Sequence, residues 1–216
     1  MKKSSYRSAF TLIELLVVIA IIAILAVVVL LTLNPAELLR QSRDANRVSD
    51  MATLKSALGV YVTDQSGVAG FTLGTTGACY NSTAATSTTI YTPNASGTWG
   101  ATTTCAAWFA SATYLASTTG RGVNGSGWLP VDFASTTAGS PIAVEPVDPV
   151  DTDGSAPGNT KALGAFFYGY ITNGTTFKLS AFMESAKYST LGTGDVETPD
   201  CGINNYVYEQ GSNLAL

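Results

Sequence analysis

One carboxylate stands where carboxylates are least stable. Residues 10–33 read FTLIELLVVIAIIAILAVVVLLTL, and Glu14 is the only charged side chain among them. An ionised acid in hydrocarbon is costly, and such a residue reads by default as a functional group. It needs a cation, because an unpaired buried carboxylate is strongly unfavourable and a paired one tolerable. A second group of acids, Asp148, Asp151 and Asp153, precedes Gly154 and Asn159. Calcium takes several oxygen ligands, and such a bend supplies them. The pattern is not an EF-hand, since Pro149 and Thr160 stand where acids would be needed. The competing reading is a solvated turn that uses Asp and Gly for backbone reasons.

The remaining reactive residues are Cys79, Cys105 and Cys201. No CxxC pattern occurs and the chain has no histidine, so zinc sites of the usual kinds and His-based triads are absent. In an exported chain a disulfide is favoured. Cys79 with Cys105 is the first choice, as both sit in one loop-rich region. Pairing of either with Cys201 is an alternative, and so are three reduced, buried thiols. Nothing gathers paired carboxylates into a cleft, so no enzyme is expected.

The elements that must position these groups follow from composition and period. As a helix, residues 10–33 would be about 36 Å long, enough to cross a hydrocarbon core of about 30 Å. Lys2, Lys3 and Arg7 precede the apolar run with no acid among them, which predicts a cytoplasmic N-terminus and an exported remainder. The run is too long for an ordinary secretory signal, and no small-residue cleavage site follows it. From Gln65 onward four bases face ten acids, a net of −6. That acidic remainder has no electrostatic footprint for a phosphate backbone, so direct nucleic-acid binding is not expected.

The string Ala9-Phe10-Thr11-Leu12-Ile13-Glu14 behind a short basic leader resembles the class III signal of type IV prepilins and type II secretion pseudopilins. The resemblance implies cleavage by a prepilin peptidase between Ala9 and Phe10, and methylation of the new Phe10 amine. Glu14 would become the fifth residue of the mature chain, where that family has its glutamate. The one departure is Ala9, where Gly is usual. The resemblance also implies a helical homopolymer, an inner-membrane precursor, and a pilus or type II secretion assembly platform as partner. Physics supports the carry-over, since Glu14 of one subunit paired with the Phe10 amine of the next would set axial register. Pairing with a lipid headgroup, or with the same subunit's amine, competes with that reading.

Asn34-Pro35 predicts a cap and restart of the helix. Met51, Leu54, Leu58, Tyr61 and Val62 recur at helical steps up to about residue 64. The charges around them (Arg40, Arg43, Asp44, Arg47, Asp50) read as solvated, or as inter-subunit pairs. Residues 65–145 are rich in Ser, Thr, Ala and Gly and read as an irregular variable insert, with short strands or a short helix near Ala106–Leu115. Residues 165–171 and 176–183 read as strands around Asn173-Gly174, a type I′ hairpin signal. The second of these alternates like a half-buried strand, and 206–209 offers an edge strand.

The expected fold is therefore α+β. A leader (1–9), a transmembrane or filament-core helix (10–33) and an amphipathic helix (34–64) precede the insert (65–145) and a sheet region (146–216). The sheet is expected to be antiparallel with three or four strands. The expected role is a type IV pilus-like filament subunit; the alternatives are a pseudopilin, or a minor pilin in adhesion or DNA uptake. No cofactor beyond the calcium of the acidic loop is implied. The expected location is the cytoplasmic membrane as a precursor, then an extracellular pilus or a cell-envelope pseudopilus.

Overall fold

The computed structural model describes residues 10–82, 90–93, 99–102, 114–117, 120–150, 152–153 and 165–216. The chain divides into two compact units, Met1–Leu39 and Arg40–Leu216.

The first unit is dominated by helix α1 (Leu12–Leu33). Thr11 caps it in extended backbone, and its side chain accepts from the Glu14 amide while the Glu14 side chain reaches back to the cap, a reciprocal capping box. α1 stops at Asn34, which takes a left-handed conformation at φ 39°. Asn is among the few non-glycine residues that tolerate that region. Helix α2 (Pro35–Gln65) then begins on Pro35, whose missing N–H is no loss in a first turn. The amides of Glu37 and Leu38 both reach back to the Asn34 carbonyl, at 3.0 and 3.3 Å.

In the second unit the buried face of α2 holds Asp44, Arg47, Met51, Leu54, Ala57, Leu58 and Tyr61. That stripe supports a sheet assembled from strands β1 (Ala78–Asn81), β4 (Tyr114–Ser117), β7 (Tyr168–Thr172), β8 (Phe177–Ala181) and β9 (Tyr208–Gly211). Their order is β4-β1-β7-β8-β9. The last four run antiparallel, and β4 adds to β1 in parallel. Two small ladders complete the described strands: β2 (Ile90–Pro93) with β3 (Trp99–Thr102), and β5 (Thr152–Asp153) with β6 (Ala165–Phe166). The chain thus has the α+β arrangement that its pattern predicts, with one parallel edge strand that the pattern does not.

Two local expectations are corrected. Asn173-Gly174 does not make a two-residue type I′ turn. Thr172 pairs with Phe177, so four residues form the loop, and Gly174 has positive φ while Asn173 does not. The reason is the Asn173 side chain, whose Oδ1 accepts from the amides of Thr175 and Thr176 at 3.1 and 2.8 Å, an alternative the backbone prefers here. β8 is not half-buried, for every residue of it is buried. Its outward Lys178 is covered and paired, with Nζ 2.9 Å from Glu209 Oε1 and 3.4 Å from the Leu214 carbonyl. Burial pushes the Lys178 amine down, and the Glu209 charge opposes that. Of the stretch near Ala106–Leu115, expected as short strands or a short helix, residues 106–113 lie outside the described residues, and Tyr114 and Leu115 belong to strand β4.

The core joins α2 to the sheet and to the segment 120–147. Met51, Leu54 and Leu58 are fully buried together with Trp128, Leu129, Val131 and Phe133, and with Tyr168, Tyr170 and Leu179 of the sheet. The 120–147 segment is stapled by polar bonds as well as by packing. Trp128 Nε1 donates to the Pro146 carbonyl at 2.9 Å, and the Leu129 amide donates to Glu145 Oε2 at 3.0 Å. Gly127 must be glycine at this point, because a Cβ there would lie 2.2 Å from Glu145 Oε2 and from the Gly122 carbonyl oxygen.

Glu145 is fully buried. Burial pushes its carboxyl up to about 8 from 4.5, against the opposing bonds from Leu129 and Trp128. The folded group therefore holds its proton more tightly than the unfolded chain does. The stability this contributes is present below about pH 4.5 and is lost as pH rises through about 8. Urea unfolding of the detergent-solubilised chain should show stability falling across that window, with a slope of up to about 1.4 kcal/mol per pH unit. Glu145→Gln keeps an acceptor for Leu129 and should flatten it.

Candidate functional site: the helix tip and the buried clasp

At the tip of α1 Glu14 is held by its own helix. The Thr11 amide and Thr11 Oγ1 both donate to Glu14 Oε2, at 3.3 and 3.1 Å, and the Glu14 amide donates to Thr11 Oγ1 at 3.3 Å. A carboxylate in a first turn also meets the positive end of the helix dipole. Phe10, one residue ahead of the cap, is 74% exposed. Every described side chain from Leu12 to Val29 is exposed too. Leu12–Val29 contains no charge but Glu14, and it is long and apolar enough to cross a membrane. The arrangement can present one anion on a greasy surface, close to the position where cleavage would create a cation. Ala9, the residue before the implied cut, lies outside the described residues.

A second charged site was not legible as such. Arg47 is fully buried, and its guanidinium is shared among three acids. Nε and Nη2 donate to Asp148 Oδ2 and Oδ1 at 2.7 and 2.8 Å, Nη1 donates to Asp44 Oδ1 at 2.7 Å, and Nη2 also reaches Glu184 Oε1 at 3.0 Å. Arg43 adds a bond from Nε to Glu184 Oε2 at 2.8 Å. Asp44 in turn accepts from the amides of Glu184 and Ser185, at 2.9 and 2.8 Å. The Phe166 ring lies under the guanidinium, 4.8 Å from its centroid. Burial alone would push the Arg47 group down, but the bonds and charges of Asp148 and Glu184 outweigh it and hold the group above its ordinary value. The clasp ties α2 to two loops distant in sequence, at 148 and 184.

This corrects the reading of Asp44 and Arg47 as solvated charges. The signal was present: Arg47, Met51, Leu54 and Leu58 follow one another at steps of four, three and four, so Arg47 lies on the apolar stripe. The clasp also changes the role of Asp148. Both of its oxygens accept from Arg47, and Oδ1 accepts from the Val150 amide as well. Asp151 lies outside the described residues, and Asp153 of β5 pairs with Ala165 of β6. Among the described residues no group of three or more His, Cys, Asp or Glu side chains is placed to hold a metal ion.

The cysteines separate by environment. Cys79 is buried in β1 and disulfide-bonded, whereas Cys201 is a free, exposed thiol at φ 66°. Cys105 lies outside the described residues.

Residues 4–30 match the family model of the prokaryotic N-terminal methylation motif. No curated protein and no solved structure matches the chain. The motif and the apolar helix agree with the class III signal of type IV pilins and pseudopilins. They support a pilin-like or pseudopilin precursor anchored in a membrane, and they point to a structural protein rather than an enzyme. The match does not reach the second unit.

Removing Arg47 would leave Asp44 and Asp148 buried and uncompensated. Arg47→Ala should cost about 3–5 kcal/mol in denaturant unfolding, with Arg47→Lys intermediate because it loses the bidentate bond to Asp148.

Proposed function

We propose that the chain is a structural subunit of a type IV pilus-like filament. A prepilin peptidase cuts between Ala9 and Phe10, the new amine is methylated, and the subunits polymerise through α1. Glu14 of one subunit then pairs with the Phe10 amine of its neighbour and sets the axial register. The partners are copies of the same chain, the peptidase and an assembly platform in the inner membrane. The precursor waits in that membrane, and the finished filament is extracellular.

One observation carries this reading: a lone carboxylate, held in the first turn of an uncovered apolar helix, inside a methylation motif. A bilayer accommodates the apolar surface but leaves Glu14 little beyond the cap bonds from Thr11 and a headgroup at the surface. A bundle of identical processed helices accommodates both, because each copy carries an acid and, after cleavage, an amine four residues away. Methylation of that amine keeps its charge. The acidic loop that favoured a pseudopilin gives less support to that alternative, since Asp148 is engaged by Arg47.

The Glu14–amine pair is tested by Glu14→Leu and Glu14→Gln in the native cells. Both variants should be made, inserted and processed, and surface filaments should be lost. Normal filaments from either variant would remove the register role.

A further inference from the structure

Ser and Thr crowd this chain, and in four places one of them stands two residues after an asparagine with no proline between, at Asn81, Asn94, Asn124 and Asn173. That spacing is the acceptor pattern for attaching an oligosaccharide to asparagine, and it is usable only on the surface of an exported chain. The fold separates the four. Asn81 is fully buried in β1. Asn94 lies outside the described residues. Asn124 is exposed, but its backbone bridges to Asp132 and its carboxamide is folded over Gly122, where a Cβ would lie 3.0 Å from Oδ1. Asn173 stands at the tip of the β7–β8 hairpin, where both it and Thr175 are exposed.

The hairpin tip fixes the Asn173 carboxamide by its oxygen. Oδ1 accepts from the Thr175 amide at 3.1 Å, the Thr175 hydroxyl at 3.2 Å and the Thr176 amide at 2.8 Å. Nδ2, on the other limb of the planar carboxamide, bonds to none of the described residues. The loop beneath is held by bonds of its own. Thr172 Oγ1 donates to the Thr176 carbonyl at 2.7 Å and accepts from the Gly174 amide at 2.9 Å, and the Leu73 amide donates to the Gly174 carbonyl at 3.0 Å. Gly174 sits at φ 94°, so the middle residue of the triplet is also the one that lets the loop turn. A carboxamide nitrogen is a poor nucleophile because its lone pair is shared with the carbonyl. Donors on the oxygen stabilise the negative charge that gathers there when a base removes an Nδ2 proton, as they do for any developing oxyanion. Asn124 has the weaker version, with the Ser126 hydroxyl at 2.5 Å and the Ser126 amide at 3.4 Å.

We propose that Asn173 is an N-glycosylation acceptor. The donor is an oligosaccharide carried on a polyisoprenyl diphosphate, and a membrane-bound transferase joins the two on the exported side. The bond between Nδ2 and the anomeric carbon forms, the bond from that carbon to the diphosphate oxygen breaks, and the diphosphate leaves with the electron pair. One Nδ2 proton passes to a base of the transferase. Oδ1 keeps its three bonds, so the sugar projects from the tip without disturbing the sheet. It adds a hydrated cover to a chain that is only 12% charged. The inference needs the outer unit to be exported and does not need it to polymerise.

The test uses the full-length chain from its native cells, recovered from membranes and from sheared filaments, digested with trypsin and read by mass spectrometry. Lys161 and Lys178 bound a peptide, residues 162–178, that contains Asn173 and none of the other three triplets. That peptide should carry the added mass of a sugar chain. Thr175→Ala keeps both amide bonds to Oδ1, so the hairpin stands, and the added mass should be lost. Thr175→Ser returns a hydroxyl to the position and should retain the sugar, whereas Asn173→Gln should lose it. A 162–178 peptide of unmodified mass in both fractions would overturn the proposal and leave the filament reading as it stands. A sugar that persists in Asn173→Gln is attached to a hydroxyl and would overturn it equally. A chain found only in membranes, with the sugar on Asn173, would support the acceptor and overturn the filament reading alone.

Discussion

The molecule is governed by an imbalance that it cannot resolve by itself. Leu12–Val29 is a continuous apolar surface with no residue buried. Burial of such surface is the main favourable term in folding and association, at about 25 cal/mol per Å², so a helix of this kind is stable only inside something else. A bilayer can serve. A bilayer leaves Glu14 with nothing better than its own cap, the Thr11 amide and hydroxyl. Those bonds keep the carboxylate from being wholly orphaned in the monomer. A neighbouring amine would be a stronger partner because its bond is charge-assisted. Under the proposed assembly the same residue would be tolerated in the precursor and used in the polymer.

The outer unit solves a different problem, which is to build a rigid body from a chain poor in charge and rich in small residues. It does so by burying its few charges deliberately. The Arg47 guanidinium reaches Asp44 within α2, Asp148 across 101 residues and Glu184 across 137 residues. Lys178 and Glu209 repeat the device between β8 and β9. Buried pairs of this kind rarely raise stability above that of an apolar equivalent, but losing one partner is expensive. They therefore act as registers. Together these bonds hold α2, the 148 loop and the 184 loop against one another.

Much of this was legible in the residues, and the limits have physical causes. α1 and the buried stripe of α2 follow from periodicity, and β8 and β9 from alternation and position. The helix break at Asn34 followed from its own chemistry and that of Pro35. β1 was hidden because Ala-Cys-Tyr-Asn is short and sits among Ser and Thr, and its pairing with β7 is non-local. The parallel edge made by β4 has no local signature at all. Arg47 and Lys178 were misjudged for one shared reason: a charged side chain reads as solvated until its partners are known, and Asp148 and Glu184 are remote in sequence from Arg47 while Glu209 lies on another strand from Lys178. At the helix tip the type, spacing and surroundings of Glu14 pointed to a cation from the start. The capping box with Thr11 was a further local consequence of that same spacing.

The central claim is that α1 exists to be packed against copies of itself after the leader is removed. Mass spectrometry of the N-terminus of this chain, taken from sheared surface filaments, tests it most directly. The account predicts a mature chain that begins at Phe10 with one added methyl group, as the main protein of the filament. Recovery of the chain only from membranes, still beginning at Met1, would contradict it.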